Sequence, residues 1–179
     1  GGHMLIIGNG KTITRDANLP FIEDGAVAIE GTRIKEIGAT KDMKEKYKEA
    51  EYIDARGGVI MPAFINTHEH IYSAMARGLS IKGYHPKGFL DILDGQWWTI
   101  DRKLTPEQIR YSAADTMISC IRNGVTTIFD HHASFGHIKD SLFTIAEVAK
   151  ELGVRSCLCY EVSDRDGMEK AKDCLLYTS

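Results

Sequence analysis

Cysteine is scarce. The chain has four in 179 residues (Cys120, Cys157, Cys159 and Cys174), without the spacing of a disulfide framework. That fits a reducing compartment, and a cytoplasmic location is the expectation. No apolar run approaches the ~20 residues of a membrane span, so no membrane partner is expected. The start lacks a charged segment followed by a long apolar one, so no signal peptide is expected either. Positive charge is not in excess: 22 Lys and Arg stand against 25 Asp and Glu, a net −3. The chain therefore lacks a basic footprint for nucleic acid. No strand is followed by Gly-x-Gly-x-x-Gly or a Walker-type loop, which takes ground from nucleotide-binding folds. A hydrophobic content of 43% and a charged content of 26% are those of a soluble globular protein. The length suits one domain, or one plus a small one.

Residues 4–61 read as a small, mostly β unit. A strand over 5–14 carries a turn or bulge at Gly8-Asn9-Gly10. Strands over 26–29 and 33–37 flank Glu30-Gly31-Thr32 as a hairpin. A charged surface helix over 40–50 follows, then short strands over 52–54 and 59–61 around Gly57-Gly58.

The pattern then changes. A strand over 63–67 ends at His68-Glu69-His70, and 71–79 is helical. Residues 80–104 are aromatic and glycine-bearing and read as an irregular loop, of a length usual for a functional lid or disorder. Thr105-Pro106-Glu107-Gln108 is a capping box with proline at the first helical position. Ile109, Ala113, Met117 and Ile121 follow at helical spacing, and Gly124 closes the helix. A β-branched strand over 125–129 ends at Asp130-His131-His132. A helix over 138–152, a strand over 154–162 and the start of a helix over 166–173 complete the pattern. Strands alternating with helices predict a parallel sheet. The polar clusters His68/His70, Asp130/His131/His132 and Glu161/Asp164 each fall at the C-terminal end of a strand. Barrels and open α/β sheets build their sites at that end.

His68 and His70 are two apart, so in a strand they point to one face and aim two imidazoles at one point. Catalytic zinc usually has three protein ligands and an open position, and this pair supplies two. The plain alternative is a pair of structural histidines at a strand end. Asp130, His131 and His132 read either as a cluster that meets substrate or orients a ligating histidine, or as a polar loop with a helix cap. If the strand continues, His131 and His132 face opposite ways and at most one meets the pocket. Gln96, Trp97 and Trp98 read as a wall that stacks on a planar ring, or as loop anchors held by burial. Cys157 and Cys159 read as a thiolate pair or as two small buried residues on one strand face. The second is expected, because no other cysteine pair completes a zinc set. His85 and His137 read as surface or loop histidines.

Residues 59–70, Val-Ile-Met-Pro-Ala-Phe-Ile-Asn-Thr-His-Glu-His, resemble the first-strand signature of the amidohydrolase superfamily, and 123–130 resemble its second barrel strand. The chain is similar to the aminohydrolase and chlorohydrolase branch. Within it, the chain is most similar to SsnA-type aminohydrolases, through Ile71-Tyr72-Ser73-Ala74, Trp97-Trp98-Thr99-Ile100-Asp101, Asp130-His131-His132 and residues 159–167. The resemblance implies an α/β chain: about three of the eight strands of a (β/α)8 TIM-type barrel over 62–173, after the N-terminal half of a β-sandwich over 4–61. A full barrel takes about 250 residues, so an N-terminal fragment is expected. His68 and His70 are then metal ligands for one divalent ion, zinc first and iron as the alternative. The remaining ligands and the acid/base residues belong to later strands, so no residue here is assigned that work.

The implied activity is hydrolysis of C–N bonds in an amino-substituted heterocycle such as a purine, pterin or triazine, by metal-activated water. The partners are that small molecule and water, with a homodimer an option for the whole protein, and the fragment alone is expected to be inactive. Two alternatives stand beside it. One is a hydantoinase-type cyclic amide hydrolase with two metals; the other is a non-catalytic scaffold of the same ancestry. Residues 1–3 precede Met4 as a leader or tag scar. Residues 174–179 resemble a reading frame of the transposase end used in sequencing-library kits, and are expected to be foreign.

Overall fold

The computed structural model describes residues 2–176, which form two compact units divided between Pro62 and Ala63. The first holds β1 (Met4–Ile13), β2 (Phe21–Glu30), β3 (Arg33–Ala39), α1 (Thr40–Lys46), β4 (Glu51–Asp54) and β5 (Val59–Ile60). Its sheet runs β3-β2-β1-β4, with β5 also on β1. β1 and β2 pair antiparallel, as do β2 and β3, while β4 and β5 run parallel to β1. Gly8-Asn9-Gly10 is a bulge inside one continuous strand: the β1–β2 register shifts there and Asn9 takes a φ of 54°. Period-two alternation sorts the side chains. Ile6, Ala26 and Ala28 are buried with Met43 of α1, while Ile7, Val27, Ile29 and Ile37 line an apolar cavity of about 260 Å³.

The second unit holds β6 (Phe64–Glu69), a 3₁₀ turn (Ile71–Ala76), α2 (Phe89–Ile92), a π turn (Leu93–Trp97), α3 (Trp98–Asp101), α4 (Pro106–Arg122), β7 (Val125–His132), α5 (Ser141–Leu152), β8 (Arg155–Tyr160) and α6 (Met168–Leu176). β6, β7 and β8 form one parallel sheet in that order. The capping box at the head of α4 is formed: Thr105 Oγ1 accepts the Gln108 N–H, and Gln108 Oε1 accepts the Thr105 N–H. α4 and α5 pack together, and Ile109, Met117, Ile128, Ile145 and Val148 meet in the core. No helix among the described residues is long and apolar enough to cross a membrane.

Several local expectations change. Residues 89–101 are a helical arm, α2 running through the π turn into α3, and not an irregular loop. Gly95, one of the glycines that make 80–104 read as a loop, here allows close approach, since a Cβ would collide with the Tyr84 ring. Asp130-His131-His132 lie within β7, not in a loop beyond it. Cys157 and Cys159 do share one face of β8, but both are exposed, as is Phe129 across the strand. Helices cover the other face, and strand spacing alone does not say which face that is. Cys174–Leu176 continue α6, with Cys174 fully buried; residues 177–179 lie outside the described residues.

The arm is fastened by ion pairs. Asp101, its last residue, is fully buried, and Arg165 Nη2 donates to Asp101 Oδ2 at 2.5 Å. The Arg165 guanidinium lies 3.7 Å from the centre of the Phe135 ring and 5.1 Å from that of Trp98. Arg102 Nη2 donates to Asp166 Oδ1 at 2.7 Å. A Cβ on Gly136 would collide with the Arg102 carbonyl oxygen, so only glycine lets the arm's end seat there. Burial pushes the Asp101 carboxyl up to about 6, against the pull of Arg165, so it is an anion at neutral pH.

Arg165→Ala strands that anion. Breaking a buried pair costs about 3 kcal/mol, which a lower urea midpoint at pH 8 should report. Without its cation, Asp101 has a folded-state pKa further above its unfolded value. The penalty is then full above the folded value, fades as pH falls from the folded value to the unfolded one, and is gone below it. A loss equal at pH 8 and pH 4.5 would assign the effect to packing.

Candidate active site

The candidate site is built on an irregularity in β6. Against β7 the register runs Asn66↔Ile128 and then Glu69↔Asp130, so β6 spends three residues where β7 spends two. An extra residue of this kind re-aims the side chains around it. The bulge is clamped by its own sequence. Asn66 Oδ1 accepts the His68 N–H (3.2 Å), and Asn66 Nδ2 donates to Glu69 Oε2 (2.8 Å). Glu69 Oε1 accepts the His70 N–H (3.0 Å).

With the strand so shaped, His68 Nε2 and His70 Nε2 stand 3.1 Å apart, with ring planes at 86°. His70 Nδ1 lies 3.1 Å from the His131 carbonyl oxygen. If Nδ1–H donates there, the neutral ring keeps a lone pair on Nε2. Ligating imidazoles commonly donate their second nitrogen in this way. Two nitrogens at about 2.0–2.1 Å from one tetrahedral zinc lie about 3.3 Å apart, so the pair fits a divalent ion. Among the described residues there is no cluster of three or more His, Cys, Asp or Glu able to hold a metal. The described residues therefore bring two candidate ligands.

The histidines open onto a cavity of about 450 Å³. Tyr72 and Ser73 of the 3₁₀ turn, Phe89, Leu93, Trp97 and Trp98 of the arm, His131 of β7 and Glu161 beyond β8 complete its lining. Phe89, Leu93 and Trp97 recur every four residues, so one stripe of the arm lines the cavity. Both tryptophans line the cavity, whereas Gln96, in the same π turn, does not.

The three residues at the end of β7 separate by face. His131 is exposed, with its ring centre 5.5 Å from that of His70. Asp130 and His132 point to the helix-covered side, buried and outside the cavity lining. His132 is a core histidine: Nε2 meets Ser134 Oγ at 3.0 Å, and the ring packs edge-on against Tyr160. Burial drives its pKa down to about 3, so the ring is neutral. Asp130 Oδ1 accepts the Ile71 N–H at 2.8 Å, tying β7 to the turn after the histidines. Its Oδ2 is buried without a partner among the described residues, and burial raises the carboxyl to about 7. His85 is exposed, and the His137 carbonyl accepts the Ser134 hydroxyl.

Sequence reasoning passed over Asn66, Glu69, Tyr72, Ser73, Phe89 and Leu93. The four-residue apolar spacing in the arm was the available signal for the last two. Glu161 was noted as part of a polar strand end and of the run 159–167 that carries the resemblance, with no role.

The sequence profile of the amidohydrolase family matches residues 59–176. A 5'-deoxyadenosine deaminase of Methanocaldococcus jannaschii is 32% identical over 138 residues, which cover 77% of this chain and 30% of that protein. A 5-methylthioadenosine/S-adenosylhomocysteine deaminase of Thermococcus sibiricus is 30% identical over 167 residues, covering 93% and 35%. The crystal structure of atrazine chlorohydrolase from Arthrobacter aurescens TC1 complexed with zinc aligns with a TM-score of 0.70 and 25% identity, covering 87% of this chain and 35% of that one. E. coli guanine deaminase, at 22% identity, shares the fold with a TM-score of 0.73 over 94% of this chain and 39% of its own. The chain thus spans about a third of the length of the relatives it matches. With a family profile matched over most of its length, the chain belongs to the amidohydrolase family.

Proposed function

We propose that this chain carries the first part of the active site of a metal-dependent aminohydrolase acting on a C–N bond of an amino-substituted heterocycle, a purine before a pterin or triazine. The observation that carries the reading is the convergence of His68 Nε2 and His70 Nε2 at the mouth of a cavity walled by Trp97 and Trp98. Relatives named as deaminases of adenosine derivatives support the purine class. The zinc-complexed chlorohydrolase supports the choice of ion. The three parallel strands with their crossover helices fit the opening part of a (β/α)8 barrel, and the sheet over 4–60 fits half of a β-sandwich.

His68 and His70 would hold the ion. A divalent ion held there supplies water activation, lowering the pKa of bound water from 15.7 to about 7. The His131 carbonyl fixes the ring angle and tautomer of His70. The clamp of Asn66 and Glu69 holds the backbone of both histidines. Trp97 and Trp98 offer flat apolar faces to a planar ring and keep bulk water from it. No described residue is given the proton-shuttling role.

Zinc titration with a chromophoric competitor should show binding by the chain and its loss in His68→Ala and in His70→Ala. Equal uptake by wild type and either variant would remove the central claim. The 179-residue chain with zinc should release no ammonia from adenosine, because the described residues offer the ion two imidazoles and none of them is given the transfer of a proton to the departing nitrogen. Ammonia release above the rate of free zinc would overturn that expectation.

A further inference from the structure

Glu161 holds no metal, yet its setting is that of a recognition group. Its backbone is fixed at the strand end, where its N–H donates to the His132 carbonyl at 2.8 Å. Its side chain lines the same cavity as His68, His70, Trp97 and Trp98. One carboxylate oxygen, Oε1, accepts from Arg165 Nε at 2.9 Å. The other, Oε2, makes no hydrogen bond among the described residues. Arg165 cannot swing away. Its side chain is 8% exposed, its far nitrogens are held by fully buried Asp101, and its guanidinium lies close to Phe135. One guanidinium therefore serves two carboxylates, which leaves the Asp101–Arg165–Glu161 group with a net negative charge whose accessible end is Glu161.

We propose that Glu161 is the substrate-recognition residue of this site. Its free oxygen accepts a hydrogen bond from an N–H of a planar heterocycle lying against the two tryptophans, and Arg165 is the positioning residue that holds it ready. This rests on the reading of the site as one for amino-substituted heterocycles, and deepens it. The carboxylate favours rings that present N–H donors and rejects rings that present only acceptors or an anionic substituent, because an acceptor that a bound ring covers with another acceptor loses its hydrogen bond to water and gains repulsion. Arginine suits the positioning task because its planar fork reaches both carboxylates at once, whereas a lysine ammonium is a single point charge.

The chain has two tryptophans, and both line the cavity, so quenching of their fluorescence reports its occupancy. The probes are melamine, which carries amino N–H groups on every edge, and hexamethylmelamine, the same ring without any. Wild type should bind melamine about tenfold more tightly than hexamethylmelamine, the selectivity of one charge-assisted hydrogen bond. Glu161→Gln and Glu161→Ala should each lose that preference while keeping the hexamethylmelamine affinity, which checks that the cavity is intact. Arg165→Lys should weaken melamine alone. Equal melamine affinity in wild type and Glu161→Gln would overturn the proposal, as would a wild type that does not distinguish the two probes or quenches with neither. Zinc uptake by the same samples separates the two readings. Intact uptake without melamine selectivity sinks the role of Glu161 alone, and lost uptake in wild type sinks the metal site.

Discussion

One additional residue in β6, between the pairings of Asn66 and Glu69 with β7, sets the geometry of the two candidate metal ligands at the cavity. A regular strand would carry His68 and His70 on one face but spread along it by a full two-residue step. The bulge instead brings their Nε2 atoms to 3.1 Å. The distortion is held by hydrogen bonds that Asn66 and Glu69 make to each other and to the backbone of the two histidines. The residues between and before the histidines thus explain how two neighbouring side chains converge.

A second constraint is the burial of Asp101. A fully buried carboxylate must be paired, and its partner, Arg165, lies across the sheet end from the arm. That requirement ties the end of the helical arm to the loop beyond β8, sets Trp98 beside a guanidinium and orients Glu161. The arm's π turn brings Trp97 and Trp98 to the cavity together. Segments far apart in the chain are joined here through one charge that has no other place to go.

Much of the second unit was legible from the chain. The capping box at Thr105, the helical spacing of Ile109, Ala113 and Met117 and the β-branched run at 125 are local signals. Each forms the element it announces, because hydrogen bonds within a few residues decide it. The family was legible for a similar reason: residues 59–70 carry it in one short run. The arm was less so. Gly95 reads as a breaker in isolation, and only the Tyr84 ring against it shows that it is there for want of a side chain. The cysteines of β8 show the same limit from the other side. Their spacing put them on one face, yet burial depended on which face the helices cover.

The amino-acid sequence by itself determined the strands and long helices of the second unit, their parallel order, the family and the placing of His68 and His70 on one strand face, since all of these rest on periodicity, capping and contiguous motif. Only the tertiary structure decided which residues gather at the cavity. It turned His131 toward His70 and buried His132 in the core, brought Trp97 and Trp98 over from a segment that reads as loop, and fixed Glu161 through Arg165. The physical reason is range. A strand's alternation states that two neighbours face opposite ways, but which way is inward depends on helices, rings and a buried charge supplied from elsewhere in the chain.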